Sequence, residues 1–307
     1  MEDPTMRALR LHVAAKTTAD GWGLELDDVP VPRVQAGEML VRVHAAAITR
    51  DELEWPVDRL PAIPSYEVSG VVTEVSPDVE EWRTGDEVFA LTPFDRDGAA
   101  CEYVAVPVSV LARKPASLSH VEAAAVPMPA LTAWQGLFER GGLTAGERVL
   151  ILGAAGGVGH AATQLARDHG AQVVAAASAA RLQAARDLRA HEVVDATEPF
   201  DGSFAPVDLV FDTVGGDALA RAFAVVRPGG RIVSVAEEPP ETGRRDVTAL
   251  YFVVEQSGDQ LAELAGLIDA GRFLPEVDSV YPLADAAAAF TRVHERGKHG
   301  KVVLEIP

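Results

Sequence analysis

Val149-Leu-Ile-Leu-Gly-Ala-Ala-Gly-Gly-Val-Gly159 is the stretch that decides the fold. Arg148–Leu152 is a short apolar strand that runs into a glycine turn, and Val158–His169 follows with helical spacing. In the pattern G-x-G-x-x-G, Ala154 takes the place of the first glycine, while Gly156 and Gly159 keep the other two. Gly156 lets the backbone approach a pyrophosphate, Gly157 and Val158 continue the loop, and Gly159 lets the helix lie close to the strand. The helix start adds unpaired amide donors and a favourable dipole for an anion. A bare glycine motif also suits a structural turn. The strand before it and the helix after it favour dinucleotide binding.

Working towards the C-terminus, the hydrophobic period keeps switching between strand and helix. Ala171–Ala176, Val193-Val194, Val207–Phe211 and Arg231–Val235 read as strands, and 180–190 reads as a helix. That rhythm predicts a parallel sheet covered by helices on both faces, a doubly wound α/β domain. Pro228-Gly229-Gly230 reads as a turn before a strand. The second strand ends at Ser178, about twenty residues past the glycine turn, with no Asp or Glu there to hold a ribose diol. Ser178 and Arg181 instead suit the extra phosphate of NADP(H), against the simpler reading of Arg181 as an exposed helix residue. Val214 and Gly215, after the strand Asp208–Asp212, suit the cofactor edge, and Asp212 suits organisation of the turn.

Towards the N-terminus the pattern is different. Met6–Val13, Met39–His44, Val68–Val75, Asp86–Ala90 and Cys101–Val106 read as strands broken by turns and prolines, an antiparallel, barrel-like body. Ser119-His-Val-Glu122 reads as a helix-capping box. Beyond the cofactor region, Gln260–Ala270 and Leu283–Arg296 read as helices and Lys301–Ile306 as a strand, which would pair antiparallel in the N-terminal body. The whole chain has 307 residues, 48% hydrophobic and 24% charged, which suits one large or two ordinary globular domains. Its 27 basic and 46 acidic residues give a net charge of −19, which speaks against nucleic-acid and anionic-membrane partners. A single cysteine, Cys101, rules out an internal disulfide and any multi-thiolate metal site. The start of the chain carries no secretory h-region and no apolar run reaches membrane-spanning length, so a soluble cytoplasmic protein is expected.

The ordered series Val41–Ala47, Gly70–Val75, Gly85–Ala90, Ala130–Trp134, Ala154–Gly159, Asp212–Gly216, Arg227–Arg231 and Gly297–Leu304 resembles the zinc-independent quinone oxidoreductase branch of the medium-chain dehydrogenase/reductase superfamily. The resemblance implies a discontinuous GroES-like catalytic domain, residues 1–122 with a return over 259–307. A Rossmann-type NADP-binding domain over 123–258 would be inserted in it. It implies hydride transfer from NADP(H) to a quinone or another electron-poor conjugated carbonyl compound, a homodimer, no zinc and no flavin. By the same resemblance Thr132 lies near the nicotinamide ribose or phosphate, and Ser234, Val235 and Ala236 lie beside the nicotinamide. Tyr251, Phe252 and Val254 belong to a cofactor and substrate loop, and Lys298 and Lys301 to a basic C-terminal motif.

The departures from that pattern concern chemistry. Ile48-Thr49-Arg50-Asp51 stands where many relatives carry Asn followed by an acid, so Thr49 replaces the Asn, with Asp51 or Glu52 as the acid. Ser65-Tyr66-Glu67 stands where zinc-dependent relatives have Gly-His-Glu, which puts Tyr66 in place of a ligand. Tyr66 is the candidate proton donor, against a stronger reading as an aromatic wall. Trp55, Phe94 and Tyr251 are the candidate substrate-cleft residues. Glu67 with Cys101 is too sparse for a metal site, and the histidines show no metal spacing. Zinc-free alcohol or carbonyl oxidoreduction remains an alternative, as does a non-enzymatic NADPH-binding sensor on the same fold.

Overall fold

The computed structural model describes residues 4–13, 22–55, 58–200, 204–295 and 297–307. The chain forms two units. One comprises Met1–Pro127, Gln256–Gly271 and Pro275–Pro307, and the other Met128–Glu255 with Arg272–Leu274.

In the first unit, β1 (Thr5–Leu11) and β2 (Leu24–Pro30) form an antiparallel pair. β3 (Glu38–Ile48) is the hub of a larger sheet. It pairs antiparallel with β4 (Glu67–Val75), which pairs in turn with β5 (Glu87–Leu91). The first half of β3 also pairs with β6 (Tyr103–Pro107), and β7 (Leu111–Arg113) adds to β5. Early in β3 the side chains alternate: Val41 and Val43 are fully buried and Arg42 is exposed. The run Ala45-Ala46-Ala47 then loses the alternation, because small side chains allow cover on both faces. Ala46 faces the main core, while Ala45 and Ala47 pack under Ala124 and Ala125 at α1 (His120–Ala124). The predicted capping box is present at α1, with Ser119 Oγ accepting from Glu122 N and Glu122 Oε2 from Ser119 N at 2.8 Å.

In the second unit, α2 (Pro127–Trp134) continues into a π-helical turn, Gln135–Arg140. Then β8 (Arg148–Leu152), α3 (Gly157–Asp168), β9 (Gln172–Ala177), α4 (Leu182–Asp187) and β10 (Glu192–Asp195) alternate. β11 (Val207–Asp212), α5 (Gly216–Ala222), β12 (Val226–Ser234) and β13 (Thr248–Tyr251) complete it. The six strands are all parallel in the order β10-β9-β8-β11-β12-β13, so the chain reverses direction across the sheet between β8 and β11. Val149–Leu152 are buried on both faces. Leu150, Val210 and Ile232 share a core with Ala218, Leu219 and Ala222 of α5, while Phe211, which alternates with Val210, packs on Gly136 of the π-helical turn. This is the expected doubly wound arrangement. Pro228-Gly229-Gly230 is not the turn expected before a strand. It lies inside β12, whose pairing to β11 jumps from Val207↔Val226 to Leu209↔Arg231. Gly229, at φ +78°, absorbs the bulge.

The chain returns to the first unit with α6 (Gly258–Asp269), β14 (Val277–Pro282), α7 (Ala286–His294) and β15 (Lys301–Glu305). β15 pairs antiparallel with β3, Leu304 opposite Ala46, as the sequence suggests. β14 lies parallel to β15, because α7 carries the chain back over the sheet, so the body is mixed rather than wholly antiparallel. Arg296, the expected end of α7, lies outside the described residues.

Candidate active site

Two clusters, one in each unit, carry the chemistry that the sequence points to. In the second unit, predicted residues gather at the carboxyl ends of the parallel strands, where open α/β sheets bind ligands. Gly153, at φ +80°, makes the sharp turn after β8, and both Gly153 N and Ala154 N donate to Ala176 O of β9 at 3.0 Å. The turn therefore rests on a glycine one place before the fingerprint, which is why Ala154 is tolerated inside it. A Cβ at Gly159 would collide with Gly153 O, whereas one at Gly156 would meet only Gly153 O at 3.3 Å. Gly159 is thus demanded by packing. Gly156, the N-cap of α3, is less crowded. The first amides of α3, at Gly157 and Val158, have no partner within a helix by its geometry.

Ser178 follows β9 directly, and a short 3₁₀ turn, Ala179–Arg181, brings Arg181 back towards the loop. Arg181 Nη1 donates to Ala155 O at 3.4 Å, so the guanidinium lies against the glycine loop. Asp212, fully buried at the end of β11, accepts from Val214 N and Gly215 N at 3.0 Å and from Ser234 Oγ at 2.7 Å. Ser234 Oγ accepts from Ala236 N at 3.1 Å. One carboxylate thereby fixes the loops after β11 and β12, including Val214, Val235 and Ala236, and leaves Val214 exposed. Phe252 N donates to Ser234 O, continuing the edge from Tyr251. Gln135 was not singled out from sequence, yet its buried amide donates to Glu255 O at 2.8 Å and accepts from Glu255 N at 2.9 Å. It pins the end of the segment that holds Phe252 and Val254, both nearly buried. Thr132, buried in α2, donates to Met128 O at 2.6 Å. A buried glutamine inside an apolar helix leaves a composition signal, but nothing in the sequence names its partner.

In the first unit, Thr49 closes β3 and Glu52 opens the short turn after it. Glu52 is buried and accepts from Thr49 N at 2.9 Å and Ser65 N at 3.1 Å. Burial pushes its carboxyl up to about 8, against those hydrogen bonds and nearby Lys301. Lys301, also buried, lies 2.9 Å from Glu67 Oε2 and donates to Thr49 Oγ1 at 3.0 Å. The ammonium of Lys301 is thus taken up by Glu67 and Thr49, while Lys298 donates to Gly300 O. Tyr66 is fully buried, and its hydroxyl accepts from Arg59 Nη2 at 3.3 Å. Desolvation raises its pKa, and the Arg59 contact works the other way. The rings of Trp55, Tyr66 and Phe94 pack together, with centroids 5.3–5.6 Å apart. Tyr251 belongs to the other unit and is partly exposed there. Cys101 donates to the carbonyls of Gly98 and Tyr103, and burial raises its pKa. Among the described residues, one trio of metal-ligating groups converges: His12, Glu25 and Asp27 on the β1–β2 pair, where Arg10 already lies beside Asp27. No helix among the described residues is long and apolar enough to cross a membrane.

Comparison with known proteins agrees with this geometry. Residues 35–116 match the alcohol dehydrogenase GroES-like domain family, and residues 188–304 match a family described as zinc-binding dehydrogenase. A probable zinc-binding oxidoreductase, mitochondrial, of Arthroderma benhamiae is 33% identical, covering 98% of this chain and 97% of its own length. The NADPH-dependent alkenal/one oxidoreductase, chloroplastic, of Arabidopsis thaliana is 34% identical over 90% of this chain and 74% of its own. Among solved structures, the quinone oxidoreductase of Coxiella burnetii is 27% identical with a TM-score of 0.88. That match covers 99% of this chain and 100% of the other.

Proposed function

The chain belongs to the medium-chain dehydrogenase/reductase superfamily, and from that premise we propose that it reduces quinones or other electron-poor conjugated carbonyl compounds with NADPH and without zinc. The observation that carries the zinc-free reading is a cation already in place: the Lys301 ammonium, held between Glu67 and Thr49. Its partners are a carboxylate and a neutral hydroxyl, and Tyr66, in sequence next to that carboxylate, has its phenol bound to Arg59, so neither imidazole nor thiolate is among them. This donor set does not fit zinc.

NADPH, when bound, supplies the hydride. The amides of Gly156, Gly157 and Val158 would hold its pyrophosphate, and Ser178 with Arg181 its additional phosphate. Val214, Ser234, Val235 and Ala236 would line the nicotinamide half, with Thr132 and the Phe252–Val254 segment behind it. Lys298 would add positive charge. Trp55 and Phe94 of the first unit would supply apolar walls for a conjugated substrate. Tyr66 fits a wall better than a proton donor, because its hydroxyl is buried and already bound to Arg59. A cytoplasmic homodimer is the form assigned to the protein. Sedimentation of the purified protein and cell fractionation test that assignment.

The deciding experiment follows NADPH and NADH oxidation against quinones, enals and simple ketones, with and without a chelator. Chelator-insensitive turnover of quinones or enals with NADPH is expected, and turnover of ketones alone, lost on chelation, overturns the proposal. In the same assay Arg181→Ala should raise KM for NADPH about tenfold or more, the worth of one charge-assisted contact, and leave KM for NADH unchanged. An equal change for both cofactors removes the phosphate role from Arg181.

A further inference from the structure

Burying a lysine is costly unless its charge is paired, and one carboxylate meets most of that need. Lys301 has its carboxylate in Glu67, yet it also donates to the hydroxyl of Thr49, a partly exposed residue at the end of β3. A hydroxyl that accepts from an ammonium keeps its own proton available to give, and the charge beside it makes that proton easier to lose. Thr49 is fixed for the task from behind, since its backbone N–H is held by Glu52, which also accepts from Ser65. Among the described residues, Glu67 from β4 and Glu52 from the turn after β3 face Lys301. With Glu52 protonated at neutral pH, Glu67 and Lys301 balance as one buried ion pair.

We propose that Thr49 and Lys301 are the proton-delivery pair of the reduction, Thr49 Oγ1 giving its proton to the substrate and Lys301 replacing it. This rests on the reductase reading above. Once the electron-poor carbon has received a hydride, the conjugated system carries one negative charge on oxygen. The Thr49 O–H bond breaks as the substrate O–H bond forms, and a Lys301 N–H bond breaks as the Thr49 O–H re-forms. The neutral amine then takes a proton from water. In sum, substrate, NADPH and one proton give reduced substrate and NADP⁺. The pair also explains how a buried tyrosine is dispensable as the acid: the proton comes from the ammonium that stands beside Glu67.

A merely structural ion pair tying β15 to β4 makes different predictions. Thr49→Val keeps the side-chain shape and removes the hydroxyl, Thr49→Ser keeps the hydroxyl, and Lys301→Arg keeps a charge beside Glu67 that cannot be given up as a proton. With NADPH and an enone or quinone, Thr49→Ser should stay within a few-fold of wild type. Thr49→Val and Lys301→Arg should lose about 100-fold in kcat, the usual worth of a positioned acid, at unchanged KM for NADPH. A second readout needs no turnover. With NADP⁺ present, 4-nitrophenol should bind in its ionised, yellow form as a mimic of the oxyanion, and Thr49→Val should weaken it about tenfold or more. Thr49→Val that turns over within twofold of wild type and binds nitrophenolate equally well overturns the assignment and leaves the reductase reading standing. Wild-type protein that binds NADPH but reduces none of these substrates overturns both. If Lys301→Arg fails to melt cooperatively, the Thr49→Val and Thr49→Ser pair decides the matter alone.

Discussion

Glu52 shows at the scale of one residue how folding stores a proton. Its carboxyl ionises near 4.5 when solvated and is pushed up to about 8 by burial, so between those values the folded protein holds a proton that the unfolded chain releases. The sign follows: this group's contribution is fully present below about 4.5 and is lost as pH rises towards 8. His120 acts oppositely. Burial, and then the charge of neighbouring His44, pushes it down to about 4, and its slope raises stability from there up to about 6.5. The clean test is therefore a comparison of two proteins. Melting temperatures of wild type and Glu52→Gln should converge on moving from pH 5 to pH 8.5, or the variant should overtake, since Gln cannot ionise. Parallel curves would mean that Glu52 is ionised in the fold. Gly159 was legible in sequence because close packing of α3 on the turn after β8 demands it locally. Glu52 was visible only as one of two candidate acids, and its coupling to Lys301 was not visible, because β15 must first lie beside β3 for those side chains to meet.

At the scale of elements, the π-helical turn at Gln135–Arg140 and the segment after β13 act together. The Gln135 amide offers Glu255 one donor and one acceptor, as a neighbouring strand would. Arg140 adds a contact to Glu255 and lies over the Phe252 ring. Gln135→Ala should leave two backbone groups of Glu255 unpaired and cost about 2 kcal/mol. Amide exchange of 252–255 should accelerate, and KM for NADPH should rise. Unchanged exchange and melting would show that the segment holds itself. The strands and helices around this site follow hydrophobic period, which is why β8, α3, β9 and β11 were readable. The glycine pair in β12 reads as a turn in the sequence, because a bulge and a turn ask for the same residues: only the pairing of Val207 with Val226 and of Leu209 with Arg231 tells them apart.

For the whole molecule, β15 is the strand that joins the C-terminal return of the chain to the sheet of the first unit. It stands between β14 and β3, with Lys301–Leu304 buried, and it brings Lys301 to Glu67 and Thr49. Deleting residues 301–307 should abolish the cooperative melting of the first unit and its exchange protection, while residues 128–255 keep theirs. Protection surviving in β3 and β4 would show that the sheet closes without its last strand. A ribosome makes β3 and β4 early and β15 only after residues 128–255 are all synthesised, and domains fold largely as they emerge. A nascent chain therefore spends much of its synthesis with the apolar edge of β3 uncovered and Glu67 without its cation. Completion of that sheet needs a strand made after residues 128–255, so premature termination upstream of β15 yields a product missing the lysine as well as the strand, and the same event that completes the sheet arms the site.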